Sequence, residues 1–381
     1  VLVLQGGGAL GAYQAGVYAG MHEAGLEPDW VIGTSIGAIN AAIIAGNPPE
    51  RRVERLDAFW NGVEQDAATL FGLPYAVGAA HAPSNLATVA SGIPGFFAPN
   101  PAAWAGPLAQ VGVEQAALYS VAPLRATLET LVDFDRIRSR ATRLTIGAVL
   151  VTRGELRYFD NRDDTLGVEH ILASGALPPA FPAVRIDGEP YWDGGLYSNT
   201  PIEAVFDDRP RRDALIFNVQ VWHAHGPEPG TLWDVLGRQK DIQYASRADG
   251  HIARQKQIHR LRHVIRGLAR ELPASKRATT AMRELAAYGC GTTMHVVRLD
   301  APRFAGEDHT KDIDFTPSGI RARREAGLAD ARRAIAAAPW TAPVDPIEGV
   351  VIHDPLGAGV SDALPGTRPA AAPPRSARRK D

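Results

Sequence analysis

Apolar residues in this chain fall into short runs that end at glycines. Residues 1–4 form a continuous apolar run of the length of a buried parallel strand. Residues 5–8 are a glycine loop, residues 9–24 have helical length and composition, and Gly25 stands where a helix C-cap is expected. Residues 30–32 read as a second strand, 33–35 as a tight turn, and 36–45 as an apolar helix closed by Gly46. Strand, loop, helix, strand, turn, helix predicts a parallel sheet with helices on both faces.

The pattern loosens over 61–120 into Gly, Pro and Ala with scattered Phe71, Tyr75, Phe96, Phe97 and Trp104, and reads as a mobile cap. A helix is predicted over 121–131 and a strand over 144–152. A turn at Arg153 and Gly154 leads into its hairpin partner at 155–159. A short helix over 170–177 is stopped by Pro178 and Pro179, and 215–221 is another buried strand. Beyond residue 230 the sequence turns charged and helix-rich, with Ile258, Leu261, Ile265 and Leu268 on one helical face. A strand over 294–299 and a helix over 317–338 follow. The Pro/Ala/Arg-rich tail from about 364 is expected to be disordered.

Composition excludes more than it assigns. The chain has 381 residues, 45% hydrophobic, which is enough for a large core. Its one cysteine, Cys290, rules out an internal disulfide and a zinc site of several thiolates, and suits a reducing, cytoplasmic compartment. A formal charge of −2 gives no general attraction to nucleic acid. No apolar run reaches the ~18 residues that span a bilayer. The chain starts at Val1, inside a strand, so an upstream segment with any targeting signal is expected to be missing from it.

Three motifs carry chemistry. Gly33-Thr34-Ser35-Ile36-Gly37 fits Gly-x-Ser-x-Gly between a strand and a helix, a turn that exposes a serine hydroxyl above a helix N-terminus. Gly6-Gly7-Gly8-Ala9-Leu10-Gly11 fits Gly-x-Gly-x-x-Gly, which suits either a dinucleotide site or an oxyanion hole built from backbone N–H groups. The dinucleotide site needs an acid at the far end of the second strand, and here Glu27 and Asp29 precede that strand. Asp193-Gly194-Gly195 follows Tyr191-Trp192 and could aim a carboxylate from a loop, although alone it is an ordinary turn.

Glycine loop, Gly-x-Ser-x-Gly on the next strand and a distant Asp-Gly-Gly together resemble the patatin-like phospholipase family. Asn199, Pro201 and the 174–182 segment support the likeness, which covers roughly residues 1–225. It implies a three-layer α/β hydrolase with a mostly parallel sheet, in which Ser35 is the nucleophile and Asp193 its base, without a histidine. The oxyanion hole would come from Gly6, Gly7 and Gly8 with Ile36, and no cofactor is needed. Many members carry Arg or Lys where this chain has Leu10. The implied layout is a hydrolase domain over 1–225 with a lid over 61–120, a charged, mainly helical extension over 226–340, and an irregular tail over 341–381.

The resemblance leaves alternatives to weigh. A conventional Ser, Asp, His order would use His223 or His225, but such folds place several strands before the nucleophile. The eleven histidines show no spacing backed by acids for a metal, and none is expected. Residues 251–277 hold eight Lys or Arg against one acid, Glu271. That stretch is either a solvated face over a core-facing apolar stripe or a patch drawn to an anionic membrane surface. The function expected is a phospholipase A or lysophospholipase, with a storage polyester or short acyl ester as the other substrate class and dinucleotide binding as the third reading.

Overall fold

The computed structural model describes residues 1–65 and 90–357. Phe71 and Tyr75 of the expected cap, and the tail from 364, lie outside the described residues. The chain opens with β1 (Leu2–Leu4), α1 (Ala12–Glu23), β2 (Trp30–Gly33), α2 (Ile36–Ala45) and α3 (Pro49–Gly62). A short ribbon, β3 (Ala98–Pro99) and β4 (Tyr119–Ser120), leads to α4 (Ala122–Leu131), α5 (Phe134–Arg138) and the hairpin β5 (Arg143–Leu150) and β6 (Glu155–Asp160). Then come α6 (Val168–Ser174), β7 (Val184–Ile186), β8 (Glu189–Asp193), α7 (Glu203–Asp207) and β9 (Ala214–Gln220). The remainder holds α8 (Leu232–Glu271), α9 (Ala274–Arg277), α10 (Thr280–Ala286), β10 (Met294–Asp300), α11 (Pro317–Ala337) and β11 (Val350–His353).

Nine strands form one sheet in the order β11-β10-β9-β1-β2-β5-β8-β7, with β6 paired to β5. The run from β11 to β5 is parallel, and β6, β8 and β7 are antiparallel. Alternation along β1 shows why the sheet is covered twice: Leu2 and Leu4 pack into the core that holds α1, α2 and α3, while Val3 faces Val205, Phe206 and Ile252 of α7 and α8. The result is a three-layer α/β fold with a mostly parallel sheet, as the sequence predicts. Late and early chain meet directly. A Cβ on Gly16 of α1 would lie 2.0 Å from Arg324 O, and one on Gly327 of α11 would lie 2.1 Å from Tyr13 O, so the two helix backbones touch.

Two local expectations change. Val350–His353, within the stretch expected to be irregular, is the edge strand of the sheet, in register with Met294–Val297. Four residues are too few for a periodicity signal, and it is the exposed edge of β10 that gives them a partner. In α8, the buried side runs through Ile252, Gln255 and His259, the last against Phe206, while Leu261 and Leu268 are 58% and 65% exposed. The stripe does not face the core over its length because the helix outruns the sheet. Its 40 residues span about 60 Å at 1.5 Å each, against about 27 Å for the longest strand, of eight residues. Among the described residues, no helix is long and apolar enough to cross a membrane.

Candidate active site

Register brings the motifs together. Leu4 pairs with Gly33 on one side and Val219 on the other, so the loops that follow β1, β2 and β9 leave the sheet side by side at its C-terminal edge. Asp193 ends β8 opposite Ala148, next to the same edge.

Ser35 has φ 56° and ψ −125°, in the left-handed region that side chains rarely adopt. The strain is held locally. Ser35 N–H donates to Ser174 Oγ at 3.0 Å, Ser174 Oγ donates to Gly147 O at 2.7 Å, and Ser35 O accepts from Ala38 and Ile39 in the first turn of α2. Gly37 allows the turn to press onto β1, since a Cβ there would lie 2.2 Å from Leu4 O. Gly33 packs on Gly37, Gly11 on Ile36, and Gly194 on Gly147.

The Asp193 side chain lies beside Ser35, close enough for the hydroxyl to act on its charge, and accepts from Gly195 N–H at 2.7 Å through Oδ1. Residue exposure is 2%. Burial raises its pKa to about 7, with the Ser35 hydroxyl and the Gly195 N–H pulling the other way. A carboxylate that titrates near neutrality can exchange a proton with a neighbouring hydroxyl as an acid or base.

In the glycine loop, Gly8 has φ +56° and sits under Asp312, whose carbonyl oxygen would be 2.2 Å from a Cβ. The N–H groups of Gly7, Gly8 and Ile36 make no hydrogen bond among the described residues, so three backbone donors are free where the cavity wall meets Ser35. Gly6 departs from the expectation. Its N–H is donated to Asn199 O at 3.1 Å, and its carbonyl accepts from Asn199 Nδ2 and Trp222 Nε1. Gly6 therefore anchors the loop and has no N–H to offer an oxyanion. Gln5 completes the anchoring: its amide donates to Thr200 Oγ1 and accepts from the N–H groups of Val221 and Trp222.

From this edge opens a cavity of about 260 Å³, walled on its far side by Ile39, Phe96, Phe97, Leu124, Phe181 and Phe315. The rings interlock, with Phe97 and Phe181 centroids 5.3 Å apart and Phe96 and Phe315 5.6 Å apart. Such a slot suits an alkyl chain. Four of its lining residues, Tyr244, Asp312, Ile313 and Phe315, come from beyond residue 230. Crossed ion pairs, Lys240 to Asp312 and Lys311 to Asp241, both at 2.7 Å, pin that part of the chain in place. Sequence reading missed these residues, together with Gln5, Ser174 as a support for Ser35, and Trp222. Only Phe315, an aromatic in a polar loop, offered any signal. His223 is half-buried and does not line the cavity, and its pKa is lowered to about 4 by desolvation, with Lys311 and Arg303 adding to the effect.

Comparison with known proteins decides what this geometry belongs to. The family model described as patatin-like phospholipase matches residues 2–206, and a second, described as patatin phospholipase, matches residues 242–347. The chain belongs to the patatin-like phospholipase family. That family is one of lipid acyl hydrolases, and membership in it leaves the dinucleotide reading of Gly6 to Gly11 without support. Among curated relatives, the patatin-like phospholipase domain-containing protein ZK370.4 of Caenorhabditis elegans is 42% identical over 76 residues, covering 20% of this chain and 6% of that protein. Among solved structures, VipD from Legionella pneumophila aligns over 88% of this chain and 66% of its own, at 15% identity and a TM-score of 0.38.

Proposed function

We propose that this patatin-like protein hydrolyses the carboxylic ester of a lipid, of phospholipase A or lysophospholipase type, through a dyad of Ser35 and Asp193. The observation that carries the proposal is the buried Asp193 carboxylate, on the same cavity wall as the strained Ser35 and lifted to a pKa of about 7. Asp193 takes the Ser35 proton as Oγ attacks the acyl carbon, and the oxyanion is met by the N–H groups of Gly7, Gly8 and Ile36. Collapse expels the alcohol, which receives the proton back from Asp193. Water, deprotonated by the same carboxylate, then frees the acyl group. Residues 1–225 act as the hydrolase unit with 61–120 as its cover, and the extension over 226–340 supplies part of the wall of the acyl slot.

Active-site-directed fluorophosphonate is the test. The adduct should map to Ser35 and disappear in Ser35→Ala, together with hydrolysis of phospholipid, lysophospholipid and p-nitrophenyl esters. An adduct elsewhere would sink the proposal. A second substrate class, a storage polyester or short acyl ester, is favoured by one observation: Leu10 is buried in the core and leaves the glycine loop without a cation.

A cytoplasmic protein meeting a membrane peripherally belongs to the same reading, and geometry limits what the basic stretch does there. His263 bonds Thr292 O and Thr293 bonds Asp213, just before β10 and β9 begin. The basic part of α8 thus sits at the edge of the sheet opposite Ser35. Contact there tethers the protein without presenting the acyl slot to the lipid.

A further inference from the structure

Hydrolysis of an ester needs room for two products, and the apolar slot accounts for one. A second cavity, about 840 Å³, adjoins it and shares Gly195, Asn199 and Tyr244 with it. Its lining is the more polar of the two. Beyond those three residues its walls include Glu155, Glu203, Ser198, Thr200, Gln243 and His251. Two carboxylates, which accept hydrogen bonds and donate none, set its preference. Glu203 is held by the Tyr158 hydroxyl, which donates to it, so its charge has a fixed position. His251 Nε2 is buried with no partner among the described residues. Tyr244 stands at the junction. Its hydroxyl makes no hydrogen bond among the described residues, and burial, with the charge of Asp193, holds its pKa up at about 12, so it remains a proton donor.

We propose that this polar cavity binds the alcohol half of the ester, and that it selects an alcohol bearing hydroxyl or ammonium donors, which Glu155 and Glu203 accept. The inference rests on Ser35 and Asp193 as the reacting pair, because only then do the two cavities flank one scissile bond. An acyl chain in the aromatic slot places its carbonyl at Ser35, and the leaving oxygen then points past Asn199 and Tyr244 into the polar side. A donor-bearing head gains charge-assisted hydrogen bonds there, and a head without donors leaves the carboxylates unmatched.

The experiment compares kcat/KM for a monoacylglycerol and the methyl ester of the same fatty acid, on wild type, Glu155→Ala and Glu203→Gln. One or two charge-assisted bonds correspond to a preference of roughly ten-fold or more for the monoacylglycerol in the wild type. Either variant should cut that preference by at least threefold while leaving the methyl ester rate within twofold. Glu155 is exposed, so its replacement tests the cavity without touching the core. Equal rates on the two wild-type substrates, or a preference unchanged in both variants, would overturn the inference. Fluorophosphonate labelling of Ser35 with turnover of the methyl ester separates that result from failure of the catalytic reading, in which neither occurs.

Discussion

Asp193→Asn should inactivate the enzyme and stabilise the fold at the same time, with a pH dependence that identifies the cause. The carboxyl has an ordinary pKa of 3.8 when the chain is unfolded and about 7 when buried beside Ser35. Below about pH 4 it is protonated in both states and costs nothing. Between pH 4 and 7 the folded state binds the proton that the unfolded state has lost, so stability falls as pH rises. Above pH 7 the full cost is in place, about 4 kcal/mol at ~1.4 kcal/mol per pH unit. Asparagine keeps the oxygen that accepts from Gly195 N–H and carries no charge, so it avoids that cost. For 381 residues, 4 kcal/mol is a rise in melting temperature of about 5 °C. Thermal melts of both proteins at pH 4.5, 6, 7 and 8 should show the gap opening with pH. The wild-type kcat/KM should rise through an apparent pKa near 7, since only the ionised carboxylate accepts the serine proton. A gap that is the same at pH 4.5 and 8, or a wild type that melts higher than the variant at pH 8, would refute the reasoning.

Other perturbations separate the parts of the site. Replacing His223 and His225 together by alanine should leave most of the esterase rate, because His223 does not reach the cavity; a loss as large as that of Asp193→Asn would point to a triad. Gly8→Ala must push Asp312 away from a 2.2 Å contact and adopt an unfavourable φ, so kcat should fall on the order of 10²-fold as an oxyanion donor is displaced, read by steady-state kinetics at unchanged fluorophosphonate titre. Phe315→Ala removes a buried ring stacked on Trp60 and packed on Phe96. It should cost about 3–5 kcal/mol in chemical denaturation and shift the acyl-length optimum toward longer chains.

The first 46 residues were legible because each element there is closed by chemistry that sequence shows directly: apolar runs of strand or helix length, Gly25 with φ +70° past α1, and Gly46 past α2. Ser35 and Asp193 were legible as residue types in a context. Their mutual placement was not, because it depends on β5 bridging β2 and β8, a pairing no local pattern encodes. Gly6 shows the limit sharply. A glycine in the loop looks like a donor, and only the three-dimensional neighbour Asn199 reveals that its N–H is already used. The wall built by Tyr244, Asp312 and Phe315 was invisible for the same reason: it lies some 210 residues or more from Ser35 along the chain. In α8, the most apolar face by spacing is not the buried one, because docking is decided by Phe206, the sheet edge and the ion pairs of Lys240 and Asp241.

The contact of Asp312 with Gly8, and of α11 with α1, has a consequence for how such an enzyme is made. Synthesis delivers Gly8 and Ser35 first, while the carbonyl that seats Gly8 and the helix that covers α1 follow some 300 residues later. At ~5–20 residues per second, that is a delay of roughly 15 to 60 seconds on the ribosome. Through that interval the part of the acyl-slot wall formed by Asp312, Ile313 and Phe315 is still missing. A chain cut short before Asp312 and α11 therefore lacks both the seat of Gly8 and the helix that covers α1.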